Sequence, residues 1–299
     1  MKKVVNKYGA AIGSNFIFGS SYAVVKYITP AYIHPFALNL VRVGASIALF
    51  WLLFLFKQGD QKIDKKDIPR FLLCAITGVV INQLLFIKGL SLTTAIHSSL
   101  LSLATPILIT IIAAVILKEG FGLLKFAGLA MGIAGAAILI VSKDQSQQGS
   151  DMLLGDLLVL TNASSYALYL VLVRPLMSKY SPIQVLRWVF TFGTIGIIPF
   201  GLPPFLQTHW ELFTSSHFVA LGYVAIVGTF MAYLLTIYSI STIGPSRTGA
   251  FIYTQPIFAA VIATIFADEN FSLMKGLAAL LIFSGVYLAN FKKEKTTEA

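Results

Sequence analysis

The stretch TPILITIIAAVILKEGF (residues 105–121) returns 150 residues later as QPIFAAVIATIFADENF (255–271). The alignment needs no gap and extends over 91–139 and 241–289. It pairs Pro106 with Pro256, Ile112–Ala113 with Ile262–Ala263, Glu119 with Glu269, Lys125 with Lys275 and Gly135 with Gly285. Both copies are strongly apolar. An internal repeat in an apolar chain points to a membrane transporter.

Composition supports the membrane. The 299 residues are 57% hydrophobic and 11% charged, and the mean hydropathy is +0.82. Soluble domains carry about 25% charged residues, so lipid is the expected solvent of this surface. The net charge of +10 sits in short connections between apolar runs, which argues for positive-inside topology and against nucleic acid as a partner. The single cysteine, Cys74, lies in an apolar run, so no disulfide framework or thiol metal cluster is expected. Lys2, Lys3 and Lys7 precede an apolar stretch that continues to about Thr29 without a small-residue cleavage site. It reads as a retained first span and not as a signal peptide.

Ten helical spans of about 20 residues fit a ~30 Å hydrocarbon core. They fall near 8–29, 36–56, 69–89, 93–117, 121–141, 154–174, 182–201, 215–238, 246–267 and 272–291. The predicted organisation is a first repeat over 1–141, a polar linker over 142–153, a second repeat over 154–291 and a tail over 292–299. Five spans per half is odd, so the second half enters the membrane inverted. The expected fold is therefore an all-α integral membrane protein with two inverted five-helix repeats.

With the N-terminus inside, sixteen of the 22 Lys and Arg residues fall on cytoplasmic segments. Lys26, Lys88, Lys143 and Lys275 lie near the outer side, and Arg42 and Arg187 lie within spans. Both termini are expected in the cytoplasm. Gly201–Phe218 then becomes an external connection, with Pro203–Pro204 and Trp210 at the interface.

Pro106 and Pro256 interrupt the fourth and ninth spans at equivalent points. Each frees a carbonyl four residues earlier, at Ser102 and Ile252. Ser98, Ser99 and Thr105 accompany the first, and Thr248, Tyr253 and Gln255 the second. The pair marks either a kinked, polar wall of a pathway or a simple bend in packed helices. Ionisable groups inside spans are costly, by about 2.5–3.5 kcal/mol each on insertion scales. Lys26, Arg42, Lys88 and His97 lie toward the outer side, and Arg187 and Arg247 toward the inner. For Lys26 and Lys88 the alternative to a pathway role is snorkelling. For Arg42 it is a structural bond to carbonyls, and for His97 a satisfied helix-packing histidine.

His97 and Arg247 share a repeat position, which makes them candidate contacts at the two mouths of one pathway. Asp156, Glu119, Asp268 and Glu269 sit at helix ends, and no carboxylate is expected near mid-span. The basic excess favours an anionic or zwitterionic solute. Deeper polar residues are Asn15, Asn39, Asn82, Gln83, Asn162, Ser164, Ser165, Tyr166 and Tyr169. The pairs Ser21–Tyr22 and Ser165–Tyr166 match the first span to the sixth. Substrate-binding candidates are thus Asn15, Tyr22, Asn82, His97, Ser98, Ser102, Tyr166, Tyr169, Arg247, Tyr253 and Gln255. Each of them also reads as helix–helix glue. Gly128 and Gly132 form a GxxxG face, followed by Gly135. Such a face brings helices together within one chain or in a homodimer. No metal-ligand spacing, P-loop or nucleophile elbow is present, so neither catalysis nor a cofactor is expected.

Taken in order, FGSSYAVVK (18–26), the stretch from His34–Pro35 to Arg42, residues 82–120 and TQPIFAAVIATIFADEN (254–270) resemble EamA-type members of the drug/metabolite transporter superfamily. The resemblance covers nearly the whole chain. It implies a ten-helix, two-repeat carrier of small organic metabolites, often outward, in a bacterial inner membrane, and it leaves the substrate open. Phe18 stands where that family commonly has Trp, and His97 where smaller polar residues are usual. Against a carrier stand an uncoupled facilitator or channel-like pore, and a non-transporting membrane scaffold.

Overall fold

A backbone in lipid must satisfy its own polar groups, so apolar runs of about 20 residues close into helices. The computed structural model describes residues 2–56, 62–117, 123–141, 151–243, 248, 251–266 and 272–290. Among these, every regular element is helical. Most of the linker, the tail, Glu119, Asp268, Glu269 and Arg247 lie outside the described residues.

In the first half, α1 is Lys2–Ile28 and α2 is Pro35–Phe56. α3 (Ile68–Ala75) passes through a π-helical turn, Ile76–Ile81, into α4 (Asn82–Leu92). α5 (Ala95–Leu101) and α6 (Ala104–Leu117) form the fourth span, and α7 (Leu123–Val141) the fifth. In the second half, α8 (Met152–Leu172) and α9 (Arg174–Lys179) are followed by α10 (Pro182–Leu206). α11 (Ser215–Gly222) passes through π-helical Tyr223–Met231 into α12 (Ala232–Ile243). A 3-10 turn, Phe251–Thr254, leads into α13 (Gln255–Phe266), and α14 (Leu273–Asn290) ends the fold.

Local chemistry sets these boundaries. Side chains of Thr94, Asp151 and Ser181 accept from the backbone N–H three residues on, at 3.1, 3.2 and 3.3 Å, which satisfies donors that a helix start leaves open. Pro35 and Pro182 sit at helix starts, where no N–H is needed. One boundary differs from the sequence expectation. α10 runs to Leu206 through Pro199, Pro203 and Pro204, so the external connection begins later than Gly201. The last two prolines fall in the final turn, where few intrahelical bonds remain to be lost.

Packing follows the repeat. α7 lies along α14 and α2 along α10, each pair being two copies of one span. α1 lies against α12 and α13, and its counterpart α8 lies against α4 and α6, the counterparts of those two. The contacts of one half recur in the other, as two inverted five-helix repeats require. The small face of α7 is used inside the chain. A Cβ at Gly285 would lie 2.5 Å from the Gly128 carbonyl oxygen.

Each end of the bundle carries a clip between halves. At one end Tyr180 Oη donates to Asp67 Oδ2 at 2.8 Å, and Lys179 Nζ lies 3.1 Å from Asp67 Oδ1. At the other, the Tyr32 and His217 rings lie 3.8 Å apart, with Tyr27 beside both. The Lys179 head is exposed, so Lys179→Ala is expected to change unfolding stability by less than about 1 kcal/mol. Heat denaturation of the purified variant checks this.

Candidate functional site

The two π-helical turns are repeat counterparts, since adding 150 to 76–81 gives 226–231. A π turn widens the helix and leaves its ladder out of register, a geometry common at functional sites. Just beyond the first, Gln83 Nε2 donates to Tyr233 Oη at 2.8 Å. These two residues stand 150 apart. Their bond therefore joins counterpart positions across the pseudo-two-fold axis, at the centre of the molecule.

Two residues of α2 complete this centre. Asn39 Nδ2 donates to the Gln83 carbonyl at 2.9 Å. Arg42 Nε donates to Thr229 Oγ1 at 2.9 Å, and Thr229 Oγ1 donates to the Val224 carbonyl, five residues back, at 2.8 Å. Arg42 is 4% exposed and Asn39 fully buried. Arg42 Nη1 and Asn39 Oδ1 have no partner. The described carboxylates are engaged elsewhere: Asp64 and Asp67 in the clip and its turn, Asp151 at a helix cap, Asp156 with His97, and Glu211 with His209. Among the described residues, the central guanidinium faces no negative side chain.

A small cavity of about 10 Å³ lies beside Tyr233. Its lining includes the rings of Tyr166, Tyr169 and Tyr233 and the apolar side chains of Leu170, Val173 and Ile237. Tyr166 and Tyr169 stack at 5.9 Å. The Tyr169 ring fits because Gly78 has no side chain, a Cβ there falling 2.5 Å from the ring. Asn162 Nδ2 donates to the Asn82 carbonyl at 2.8 Å, and Ser165 Oγ to that of Thr77 at 2.7 Å. These bonds hold α8 against the first π turn.

Other candidates form separate groups. Tyr22 Oη donates to Ser102 Oγ at 2.9 Å, joining α1 to the end of α5, where buried Ser98 Oγ has no partner. Gln255 Nε2 donates to Asn15 Oδ1 at 2.6 Å, joining α1 to α13. The Tyr253 ring meets Phe283 at 6.1 Å. Pro106 and Pro256 stand in the first turns of α6 and α13. A turn at Ser102–Leu103 precedes one and the 3-10 segment the other. The Ser102 carbonyl, expected to be freed, accepts from Thr105 N–H at 3.1 Å.

The basic candidates do not converge. Lys26 Nζ donates to the carbonyls of Ser91 and Thr93 at 3.3 and 2.6 Å, at the end of α4. Lys88 is half-buried on α4. Arg187 lies on α10, which packs along α2, and its guanidinium lies 4.7, 3.8 and 5.6 Å from the ring centres of Trp51, Phe54 and Trp188. It is held by cation–π stacking between α2 and α10. Arg247 lies outside the described residues.

His97 Nδ1 lies 3.2 Å from Asp156 Oδ2, both side chains 1% exposed, and Thr93 Oγ1 donates to Asp156 Oδ1 at 2.6 Å. Asp156 does lie near the start of its helix, but it is buried and spans the two halves. The sequence reading gave this carboxylate no role.

Residues 7–141 and 153–291 match the EamA-like transporter family. The chain belongs to this family. Among its EamA-like relatives, the uncharacterized transporter YetK of Bacillus subtilis is 23% identical over 99% of this chain and 90% of its own length. The WAT1-related protein At3g53210 of Arabidopsis thaliana is 23% identical over 94% and 84%. One solved crystal structure overlays with a TM-score of 0.63 at 18% identity, covering 95% of this chain and 96% of that one. That likeness is one of fold. As an EamA-family member this chain is a membrane-embedded transporter.

Proposed function

We propose that this protein is a secondary carrier that exports a small carboxylate-bearing solute, of the amino-acid or organic-acid class, by alternating access across a bacterial cytoplasmic membrane. The observation that carries this reading is the buried polar centre joined across the pseudo-two-fold axis by Gln83 and Tyr233. A site on the axis belongs equally to both halves, so rocking one half against the other exposes it to either side in turn. The guanidinium of Arg42, without a negative partner among the described residues, supports an anionic group on the solute. The small cavity beside Tyr233 includes Val173 and Ile237 in its lining, on the side that the Lys and Arg bias assigns to the cytoplasm, where the termini also belong. Access from that side suits export.

Counterflow in proteoliposomes tests the reading. Vesicles preloaded with unlabelled amino or organic acids should accumulate the labelled solute transiently, and an imposed pH gradient should change the rate if protons are coupled. Flux without trans-stimulation would replace the carrier with a facilitator. Absence of flux and of binding across the panel would leave a scaffold.

A further inference from the structure

At the end of the bundle that the Lys and Arg bias assigns to the outside, the two ring nitrogens of one buried histidine stand in different surroundings. His97 Nδ1 lies 3.2 Å from Asp156 Oδ2, while His97 Nε2 is buried without a partner. A ring nitrogen and a carboxylate oxygen at that distance share one hydrogen. The partner at one nitrogen decides what the other can do. With the shared hydrogen on Nδ1, Nε2 keeps a lone pair that can take a proton. Asp156 is itself held by Thr93, whose hydroxyl donates to its other oxygen at 2.6 Å.

The pair is sealed between the halves. His97 stands on α5 of the first half and Asp156 on α8 of the second, both side chains 1% exposed. Beside them α4 and α8 meet closely, a Cβ on Gly155 falling 2.8 Å from Thr93 N. Exchange of Nε2 with external water therefore requires α8 to part from α4 and α5, which is a movement of one half against the other. Toward the middle of the span α5 carries hydroxyls. Ser98 Oγ is buried without a partner, and Ser102 Oγ accepts from Tyr22 Oη at 2.9 Å.

The elements packed against α5 and α8 bring few other charged groups to this end. α1 brings Lys26, bonded to the carbonyls of Ser91 and Thr93. α4 brings half-buried Lys88, and α14 brings buried Lys275. Asp151 caps the start of α8. α6 and α13 contain no titratable residue. Lys125 stands at the far end of α7, and Arg70, Cys74, Arg174 and Lys179 on elements at the far end of α8. Among the described residues of these elements His97 is the only histidine, the side chain that changes charge near neutral pH.

We infer that His97 Nε2 is the proton-binding site of this carrier, filled from external water while the halves are parted at this end and sealed when they close, with Asp156 holding the ring. This rests on the carrier reading above and assigns its coupling ion. Loading moves one proton from hydronium in the external water to Nε2 and leaves a water molecule behind. Unloading passes the proton by the hydroxyls of Ser98 and Ser102 toward the cytoplasmic side, so one proton enters as one solute leaves.

Two measurements on the full-length protein test this. In nanodiscs, nitrogen NMR of protein carrying isotope-labelled histidine, with His97→Gln to assign the signal, should show Nε2 without hydrogen at about pH 8 and with hydrogen at about pH 5. Asp156→Asn should mix the tautomers at the higher pH, because an amide can donate to Nδ1 as well as accept from it. A merely structural aspartate would leave the tautomer unchanged. In proteoliposomes with the voltage clamped, the probes are the labelled amino and organic acids of the counterflow panel. For an acid that the wild type exchanges, one proton per solute shifts its final concentration ratio across the membrane about tenfold per unit of pH difference, beyond protein-free vesicles. In His97→Gln that ratio should stay near one. A final ratio does not depend on how much active protein a sample holds, so partial loss of stability does not imitate this. The wild-type titration and ratio decide the matter if His97→Gln does not fold. Counterflow in the wild type without a pH-driven ratio overturns the inference while the carrier reading stands, as does a tenfold shift retained in His97→Gln. An Nε2 that keeps one state between these pH values overturns it too, and so does an unchanged tautomer in Asp156→Asn. Absence of counterflow removes the carrier reading and the coupling with it.

Discussion

Asp156→Ala is expected to destabilise the fold by about 1–3 kcal/mol for each buried polar group that it leaves without its partner. The carboxylate accepts from Thr93 Oγ1 at 2.6 Å and faces His97 Nδ1 at 3.2 Å. Thr93, His97 and Asp156 are all at most 1% exposed. The two contacts are the carboxylate's polar partners from the first half. Alanine leaves the threonine hydroxyl without its acceptor and the ring nitrogen without its partner where water does not replace it. Asp156→Asn keeps an acceptor oxygen and should lose less. Tryptophan-monitored unfolding of the purified variants in detergent gives the ranking. Wild-type stability in Asp156→Ala would show that the pair carries no structural load.

The second large effect belongs to the α7–α14 interface. A Cβ at Gly285 would meet the Gly128 carbonyl oxygen at 2.5 Å and Gly132 N at 2.7 Å, and one at Gly135 would meet the Ala278 carbonyl oxygen at 2.8 Å. These obstacles are backbone and do not swing aside. Gly285→Ala and Gly135→Ala should each cost about 1–3 kcal/mol through forced separation of the helices. The double variant should cost less than the sum, since the first separation makes room for the second methyl. Gly44→Ala is the control. Nothing lies within 4 Å of its Cβ, so it should be neutral or stabilising by about 0.5–1 kcal/mol. Melting curves that place Gly285→Ala beside Gly44→Ala would sink the argument.

Partner choice was far less legible in the sequence than architecture. Gln83 and Tyr233 stand 150 apart, so the repeat offset already named them as counterparts. Their hydrogen bond, however, depends on how closely the third and eighth spans approach at the axis. Asn39, Thr229 and Tyr233 were absent from the substrate-binding candidates because isolated polar residues in apolar runs look alike in a sequence. His97 was read as a pathway group because it shares a repeat position with Arg247 and no carboxylate was expected near mid-span. Asp156 was placed at a helix end and given no role, because it lies five residues past a helix cap. Its burial follows from the close crossing of α4 and α8, where a Cβ on Gly89 would fall 2.9 Å from the Gly155 carbonyl oxygen.

By itself, the sequence determined that this chain lives in lipid, that it is helical, and that its two halves repeat and invert. Those properties follow from local rules: apolar run length, backbone self-satisfaction and an odd span count. Only the tertiary structure decided what each buried charge does. Arg42 and Arg187 lie in similar surroundings of sequence, NLVRV (39–43) and QVLRW (184–188), on the paired helices α2 and α10. One guanidinium meets a threonine and keeps a donor unpaired, while the other stacks on aromatic rings. The energy of a buried charge is set by the groups within a few ångströms of it, and here those groups are contributed by other helices.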